Sequence, residues 1–357
     1  MSSIKSTIEN AIENPDSVRS LNAEEIRKII RFALPVLASE PALIRVQKSR
    51  EETEIIFAGD THGDFETTKR IAARFLEVSD DCILVFLGDY IDRAPEPDWA
   101  IYNLLYLLAL KCVFPQNVFL LKGNHETNYA IPCWPYDFED DLRRMFGADG
   151  IGLHDEFVDV FHEMPLMLKT ENGIFASHAG FARAIPSSSA RQSSAGEAST
   201  RMRGIALHIC APKVRTYLRF LRKRKHSEHV HPAQNPRRRR NIEKSNESLL
   251  MDVVWADPEI SYMHRDPCIP RFNEIQLRNF LESAGCKVLI RGHDYHTIGK
   301  AIYGSRCLTI SSSRRYAQFG GVLLARASLG EDIENALDII VEDVSSGAWK
   351  PFKVKVL

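Results

Sequence analysis

The chain lacks any run of about 18 apolar residues, the length a helix needs to cross a bilayer. Its longest candidate, Ile101 to Leu110, is too short and is broken by Tyr102, Asn103 and Tyr106. The opening MSSIKSTIENAIENP has no apolar centre, so no secretory leader is expected. No CxxC pair occurs, and the seven cysteines (82, 112, 133, 210, 268, 286, 307) are scattered and odd in number. That argues against a zinc knuckle or a disulfide framework and for reduced thiols in a cytosol-like compartment. There is no internal repeat. Neither sign of charge dominates, with 46 Lys and Arg against 47 Asp and Glu.

Globular composition is present instead. The 357 residues are 44% hydrophobic and 26% charged, enough for one large domain or two ordinary ones. The near-zero net charge of −1 hides a split. Residues 183–245 carry sixteen Lys and Arg against three Glu, a local +13 that leaves −14 for the rest. Runs such as RKRK and RRRR, with Ser-rich and Pro-containing stretches around them, mark 184–246 as a basic, mobile insertion. Within it, PKVRTYLRFLRKRK (212–225) has the spacing of a basic amphipathic helix. A solvated loop is the plain reading. A contact for nucleic acid, anionic lipid or an acidic partner, or a nuclear localisation signal, is the sharper one.

Residues 1–20 are polar and weakly periodic, and are expected as a flexible tail. From Leu21 the pattern sharpens. Asn22 with Glu25 forms a capping-box signature, and Ile26, Ile29, Ile30, Ala33 and Leu34 share a face. Pro35 predicts a kink or break. Short β-like runs follow: EIIFA (54–58), CILVFL (82–87), NVFLL (117–121), GIFAS (173–177), KVLI (287–290) and RCLTIS (306–311). Helical spacing lies between several of them, at 64–78, 98–112, 137–147 and 273–285. This alternation predicts an α/β protein. The late runs GVLLARA, ALDIIVEDV and FKVKVL have no helix between them, so a second, more antiparallel sheet is expected, giving a two-layer β core flanked by helices.

Five strands end on a polar or metal-binding residue. EIIFA runs into Asp60, His62 and Asp64, CILVFL into Asp89, Asp92 and Arg93, and NVFLL into Asn124 and His125. GIFAS runs into His178 and KVLI into His293. Ligands of α/β sheets bind beyond the carboxyl ends of strands, so these residues are expected to meet on one rim. Asp and His suit Mn, Fe and Zn, and Asn offers a carbonyl oxygen. Three His, two Asp and one Asn exceed the needs of one tetrahedral zinc and suit two bridged metals, a centre that favours in-line displacement at phosphorus. A lone His is usually a satisfied core residue and a lone Gly-Asp a turn; five such ends in order reverse that balance.

At these residues the chain resembles the phosphoprotein phosphatase (PPP) family of metallophosphoesterases. Its motifs stand here as GDTHG (59–63), GDYIDRA (88–94), GNHE (123–126), HAG (178–180), WADP (255–258) and RGH (291–293). The likeness covers about residues 21 to 345, with the basic stretch as an insertion in a single catalytic domain over 21–357. It implies a calcineurin-like metallophosphoesterase fold. It also implies a serine/threonine protein phosphatase in which a dimetal-bound hydroxide attacks the phosphomonoester in line. The two divalent ions (Mn, Fe or Zn) would be held by Asp60, His62, Asp89, Asn124, His178 and His293, with Asp89 bridging. His125 would act as acid beside Asp92. Arg93, Asn124 and Tyr316 would bind phosphate together with Arg271 or Arg265, of which Arg271 is preferred. The expected partner is a phosphorylated protein, with room for a regulatory subunit, in the cytoplasm or, for a eukaryotic chain, the nucleus. Departures are Ala94 where the family has Gly, HAG for HGG, and SSSRRY (311–316) for SAPNY. The competing reading is a hydrolase of small phosphoesters or dinucleoside polyphosphates with the same centre.

Overall fold

The computed structural model describes residues 2–47, 53–78, 81–182, 248–260, 269–346 and 348–357. The basic insertion, its 212–225 helix and Arg265 lie outside the described residues.

Two β-sheets face one another. One has six strands in the order β14 (Lys350–Pro351), β13 (Ile340–Asp343), β12 (Leu323–Ser328), β2 (Glu54–Ala58), β3 (Ile83–Phe86) and β4 (Val118–Leu120). The other has seven, in the order β1 (Leu43–Val46), β5 (Met167–Thr170), β6 (Ile174–Ser177), β9 (Val288–Arg291), β11 (Cys307–Thr309), β10 (Lys300–Ile302) and β15 (Lys355–Val356). A short parallel ribbon pairs β7 (Asp257–Pro258) with β8 (Arg271–Phe272).

The alternation of side chains along each strand explains the layers. In β2, Ile55 and Phe57 point between the sheets, where they join Val85, Phe119, Ile174, Val288, Ile290 and Leu308. Ile56 and Ala58 point the other way and meet the helices. Strands buried on both faces are near-continuous apolar runs, and β2 to β4 are mutually parallel. The helices on that outer face are α1 (Ser2–Glu13), α2 (Ala23–Ala38), α3 (Phe65–Glu77), α4 (Trp99–Val113), α5 (Phe138–Phe146) and α6 (Ala148–Glu163). Every residue of α4 from Ala100 to Lys111 is buried except Tyr102, as expected of a helix that is apolar all round. On the far face of the seven-stranded sheet, a helix over 248–254 and the helix Glu274–Ala284 cover Phe175, Leu289 and Cys307.

Several expectations are corrected. Residues 5–20 are not a loose tail: Ile8, Ala11 and Val18 are buried against the core. Three apolar side chains a helical turn or more apart suffice to dock a short polar segment. Helix α2 does not stop at Pro35 but runs on to Ala38, since Ala33 and Leu37 on either side are fully buried. The Asn22–Glu25 capping box forms as expected. The late strands do not make a sheet of their own. β12 pairs antiparallel with β2 and with β13, so they extend the sheet begun by the parallel strands, while β15 joins the other sheet beside β10. Among the described residues no helix is long and apolar enough to cross a membrane.

Candidate metal centre

The carboxyl ends of β2, β3 and β4 in one sheet and of β6 and β9 in the other open onto the same rim. A bridge between Asp60 and Ser311 joins the two sheets there. The loops after β2 and β3 are stitched by backbone bonds: the N–H groups of Thr61 and His62 donate to Asp89 O, and that of Gly63 to Tyr90 O. Asn103, buried on α4, donates to both Thr61 Oγ1 and Tyr90 O.

These turns are tight. His62, Asp89, Asp92, Arg93 and His293 all have positive φ, between 43° and 68°. L-residues occupy that region rarely and at a cost, which makes the cluster informative. Gly88 has φ 111°, and a Cβ there would lie 2.4 Å from Gly123 N. Gly292 is needed for close approach instead: its Cβ would fall 2.0 Å from Asp60 Oδ1. Ala94 replaces a family glycine without strain, since its φ is not positive.

The side chains converge. His62 Nε2 lies 3.5 Å from Asp89 Oδ2, and His178 Nε2 lies 3.5 Å from Asp89 Oδ1. Asn124 Oδ1 is 3.0 Å from His178 Nε2 and 2.9 Å from His293 Nδ1. Asp60 receives the His293 N–H at 3.0 Å and sits 3.8 Å from His178 Nδ1. Two donor clusters share Asp89, His62–Asp89–His125 and Asp89–His178–His293, and a third, Asp92–His125–Cys133, lies beside them. All six residues expected to bind metal are thus on one rim and buried.

A cation fits this set. His178 Nδ1 faces the carbonyl of Leu87 at 3.1 Å and His62 Nδ1 that of Ile91 at 3.0 Å. A carbonyl only accepts, so each Nδ1 donates and the neutral ring presents a lone pair at Nε2. At His178 that lone pair faces the oxygens of Asn124 and Asp89 with no proton between them. Protonating the ring is opposed, because burial pushes its pKa down to about 4. Burial likewise holds His62 well below the usual imidazole value and raises the Asp60 and Asp89 carboxyls. Oxygen and imidazole donors in this mixture suit a divalent transition metal.

His125 is bound differently. Its Nδ1 meets Asp92 Oδ2 at 2.5 Å, and Asp92 Oδ1 accepts the N–H groups of Asp137 (2.7 Å) and Phe138 (2.8 Å) at the start of α5. Burial opposes a charged ring, but the carboxylates of Asp89 and Asp92 outweigh it and hold the His125 pKa well above its ordinary value. Its Nε2 is buried with no hydrogen-bond partner among the described residues, 4.0 Å from Asp89 Oδ2. Arg93 donates to the Tyr316 hydroxyl at 2.8 Å and to the carbonyl of Trp134 at 3.2 Å. Both Arg93 and Tyr316 line a cavity that also borders Asp60, His62 and His293.

Arg271 does not line that cavity. It donates to the carbonyls of Pro258 and Glu259, beside the β7–β8 ribbon. Both bonds come from one nitrogen, Nη2, and hold it to the chain that carries WADP.

Three residues escaped the sequence reading. Glu126 is fully buried and grips backbone N–H groups at the ends of β3 and β4. Arg291 is fully buried; it donates to the carbonyls of Ala179 and Ala256 and lies 3.6 Å from Asp257. It ties three motif loops together. Asp257 in turn lies 3.8 Å from His293 Nε2. The signal was in the motifs themselves: each of the three is a letter of GNHE, RGH or WADP.

The comparisons agree with this geometry. The calcineurin-like phosphoesterase family matches residues 53–296. A probable serine/threonine-protein phosphatase of Encephalitozoon cuniculi (strain GB-M1) is 23% identical over 321 residues, which cover 88% of this chain; the chain spans 58% of that protein's length. Among solved structures, a protein serine/threonine phosphatase from Saccharomyces cerevisiae with similarity to human phosphatase PP5 superposes with a TM-score of 0.63. It is 20% identical and covers 97% of this chain and 95% of its own. A cold-active protein-tyrosine phosphatase of a psychrophilic Shewanella has a TM-score of 0.52 at 13% identity, covering 89% of this chain and 84% of its own. These two likenesses concern the fold. Since the family match takes in the ends of all five strands, the chain belongs to the calcineurin-like phosphoesterases.

Proposed function

We propose that this chain is a metal-dependent protein phosphatase acting on phosphoserine and phosphothreonine monoesters. The name of the Encephalitozoon relative supports the substrate class. Asp60, His62 and Asp89 would hold one divalent cation, and Asp89, Asn124, His178 and His293 a second; Mn, Fe and Zn all suit these donors. Such ions, when bound, supply positive charge against phosphoryl oxygens and make water a stronger acid.

The chain's own groups do the rest. Arg93 carries five N–H donors in a rigid fork. The bonds to Tyr316 and Trp134 fix its plane and leave the remaining donors for the phosphoryl oxygens. His125 keeps a proton at Nε2 and gives it to the leaving alkoxide. Asp92, itself anchored by two α5 amides, orients the ring and stabilises its charged form. The observation that carries this reading is the buried Nε2 of His125, without a hydrogen-bond partner among the described residues, beside the donor cluster and aimed by Asp92. A group so placed has no structural partner to serve and is suited to one that arrives with substrate.

The test is turnover of matched phosphoserine and phosphothreonine peptides by the purified chain with Mn added, alongside a dinucleoside tetraphosphate and elemental analysis. Peptide turnover with two bound ions is the expected result. Hydrolysis of the dinucleotide alone would overturn the substrate assignment, and fewer than one ion bound would overturn the enzyme assignment.

A further inference from the structure

Asp64 is a fully buried carboxylate that belongs to none of the donor clusters among the described residues. It stands two residues beyond His62 and caps α3, accepting the Thr67 N–H at 3.3 Å. Its backbone is bonded on both sides, N–H to Thr61 O at 2.9 Å and carbonyl to the Thr68 N–H at 3.0 Å. The cation that answers its charge comes from 250 residues further along the chain. Arg314 donates to it from the backbone N–H (Oδ2, 2.8 Å), from Nε (Oδ1 at 3.0 Å and Oδ2 at 2.9 Å) and from Nη2 (Oδ1, 2.7 Å). Trp99, at the start of α4, lies against the same guanidinium, with Cζ 5.5 Å from its ring centroid. An ion pair exposed on both sides contributes little. Here the carboxylate is out of water, both its oxygens are engaged, and a main-chain amide of the same arginine joins the side chain, so the pair fixes a geometry.

Arg314 opens the single 3-10 turn Arg314–Tyr316. The turn's own bonds are local: the Arg315 N–H donates to Ser313 Oγ at 3.3 Å and the Tyr316 N–H to Ser313 O at 3.2 Å. Among the described residues, two hydrogen-bonded ties lead from it to the site. One is the fork on Asp64. The other is the Tyr316 hydroxyl, which accepts from Arg93 Nη1 at 2.8 Å. The turn is thus anchored at its first residue and holds the phosphate clamp at its last. Aligned on the shared tyrosine, SAPNY has proline where this chain has Arg314. Proline stiffens a turn by fixing its own φ. In this chain a buried anion grips main chain and side chain together, through an N–H that proline lacks. His62 is fixed separately, by Asp89 O and Ile91 O, so the fork bears on the clamp and not on the metal ligands.

We propose that Arg314 is a positioning residue for phosphate binding: its fork on Asp64 fixes the turn from which Tyr316 sets the plane of the Arg93 guanidinium. This rests on the phosphatase reading above, which gives Arg93 its ligand. Arg314 itself touches no substrate. Without the fork the turn shifts, the Tyr316 hydroxyl leaves the line of Nη1, and Arg93 samples more orientations before it meets the phosphoryl oxygens. The cost falls on the binding of phosphate, in substrate and in product alike.

The experiment measures kcat and KM on a phosphoserine peptide, the inhibition constant of inorganic phosphate, and bound metal, all with Mn added. It compares the wild type, Arg314→Lys, Tyr316→Phe and the double variant. Arg314→Lys keeps the charge and the main-chain N–H but loses the fork. Arg314→Gln, which keeps one NH₂ for Asp64, is the second variant should the lysine form not fold. Tyr316→Phe should raise KM and the phosphate constant about tenfold, the worth of one hydrogen bond. Arg314→Lys should raise both about fivefold, with kcat within about twofold and metal content unchanged. Because the effect runs through the Tyr316 hydroxyl, the double variant should be no worse than Tyr316→Phe alone. Losses that multiply in the double variant, to about fiftyfold, overturn the proposal and leave the phosphatase reading intact. So does metal loss in step with kcat, which is what a merely structural role gives, and so does a wild-type KM in the Arg314 variants. A wild type that turns over no phosphoserine peptide overturns both readings.

Discussion

Glu126 supports Asp89 from beneath: its Oε2 accepts the Asp89 N–H at 2.8 Å and the Gly123 N–H at 2.9 Å, while Oε1 accepts that of Tyr90 at 2.8 Å. Three amides from two strand ends share one buried carboxylate. The side chain that bridges the two donor clusters is therefore aimed by a residue from the neighbouring strand.

Glu126→Gln replaces one acceptor oxygen with an NH₂ that faces backbone donors. A buried amide left unsatisfied costs about 1–3 kcal/mol. The urea midpoint should fall accordingly, and metal retained through gel filtration should fall with it. A variant with wild-type midpoint and metal content would show that the turn at Asp89 stands without this support.

His125→Asn should keep the metals and lower kcat on phosphoserine peptides by roughly 10²–10⁴. The loss should be smaller on p-nitrophenyl phosphate, whose leaving group needs little help from an acid. An equal loss on the two substrates would remove His125 from the role of proton donor.

Asp89 contributes to both clusters, so Asp89→Asn should lose metal and activity together. In the wild type, free metal at 100 times its dissociation constant should add about 2.7 kcal/mol to folding stability and raise Tm. Full occupancy in the Asp89→Asn chain would falsify its place between the two ions.

Away from the site, Lys111 is fully buried on α4. It donates to Glu40 Oε1 at 2.5 Å and to the carbonyls of Pro115 and Val118 at 2.7 Å each. Lys111→Met strands the Glu40 carboxylate, and breaking a buried pair costs about 3–5 kcal/mol. Chemical denaturation should register that loss, and adding Glu40→Gln should recover part of it. No recovery would mean that the two carbonyl bonds, not the ion pair, carry the stability.

The five strand ends were legible because their signals are local: a few apolar residues, then a turn whose glycine allows close approach. Their meeting on one rim is not local, and it was readable only through the general behaviour of α/β sheets and the family likeness. What misled has physical causes. In α6 two glycines hide the helix, yet Gly150 sits where a Cβ would lie 2.3 Å from Leu142 O, so it serves the contact with α5. Pro35 signals a break that Ala33 and Leu37 override by burial. Glu126, Arg291 and Asp257 bond backbone or other side chains, and no composition or periodicity signals that.

Asp60, Asp89 and Asn124 hang from one sheet, and His178 and His293 from the other. The gap between these two sets is set by the filling between the layers, by Val85, Leu121, Ala176 and Ile290 among others. That filling acts as a spacer block for the chemistry. Interiors this closely packed transmit the change of a single methylene, so trimming Leu121, which has no atom in the cavity lining, would detune the jaws that grip the ions.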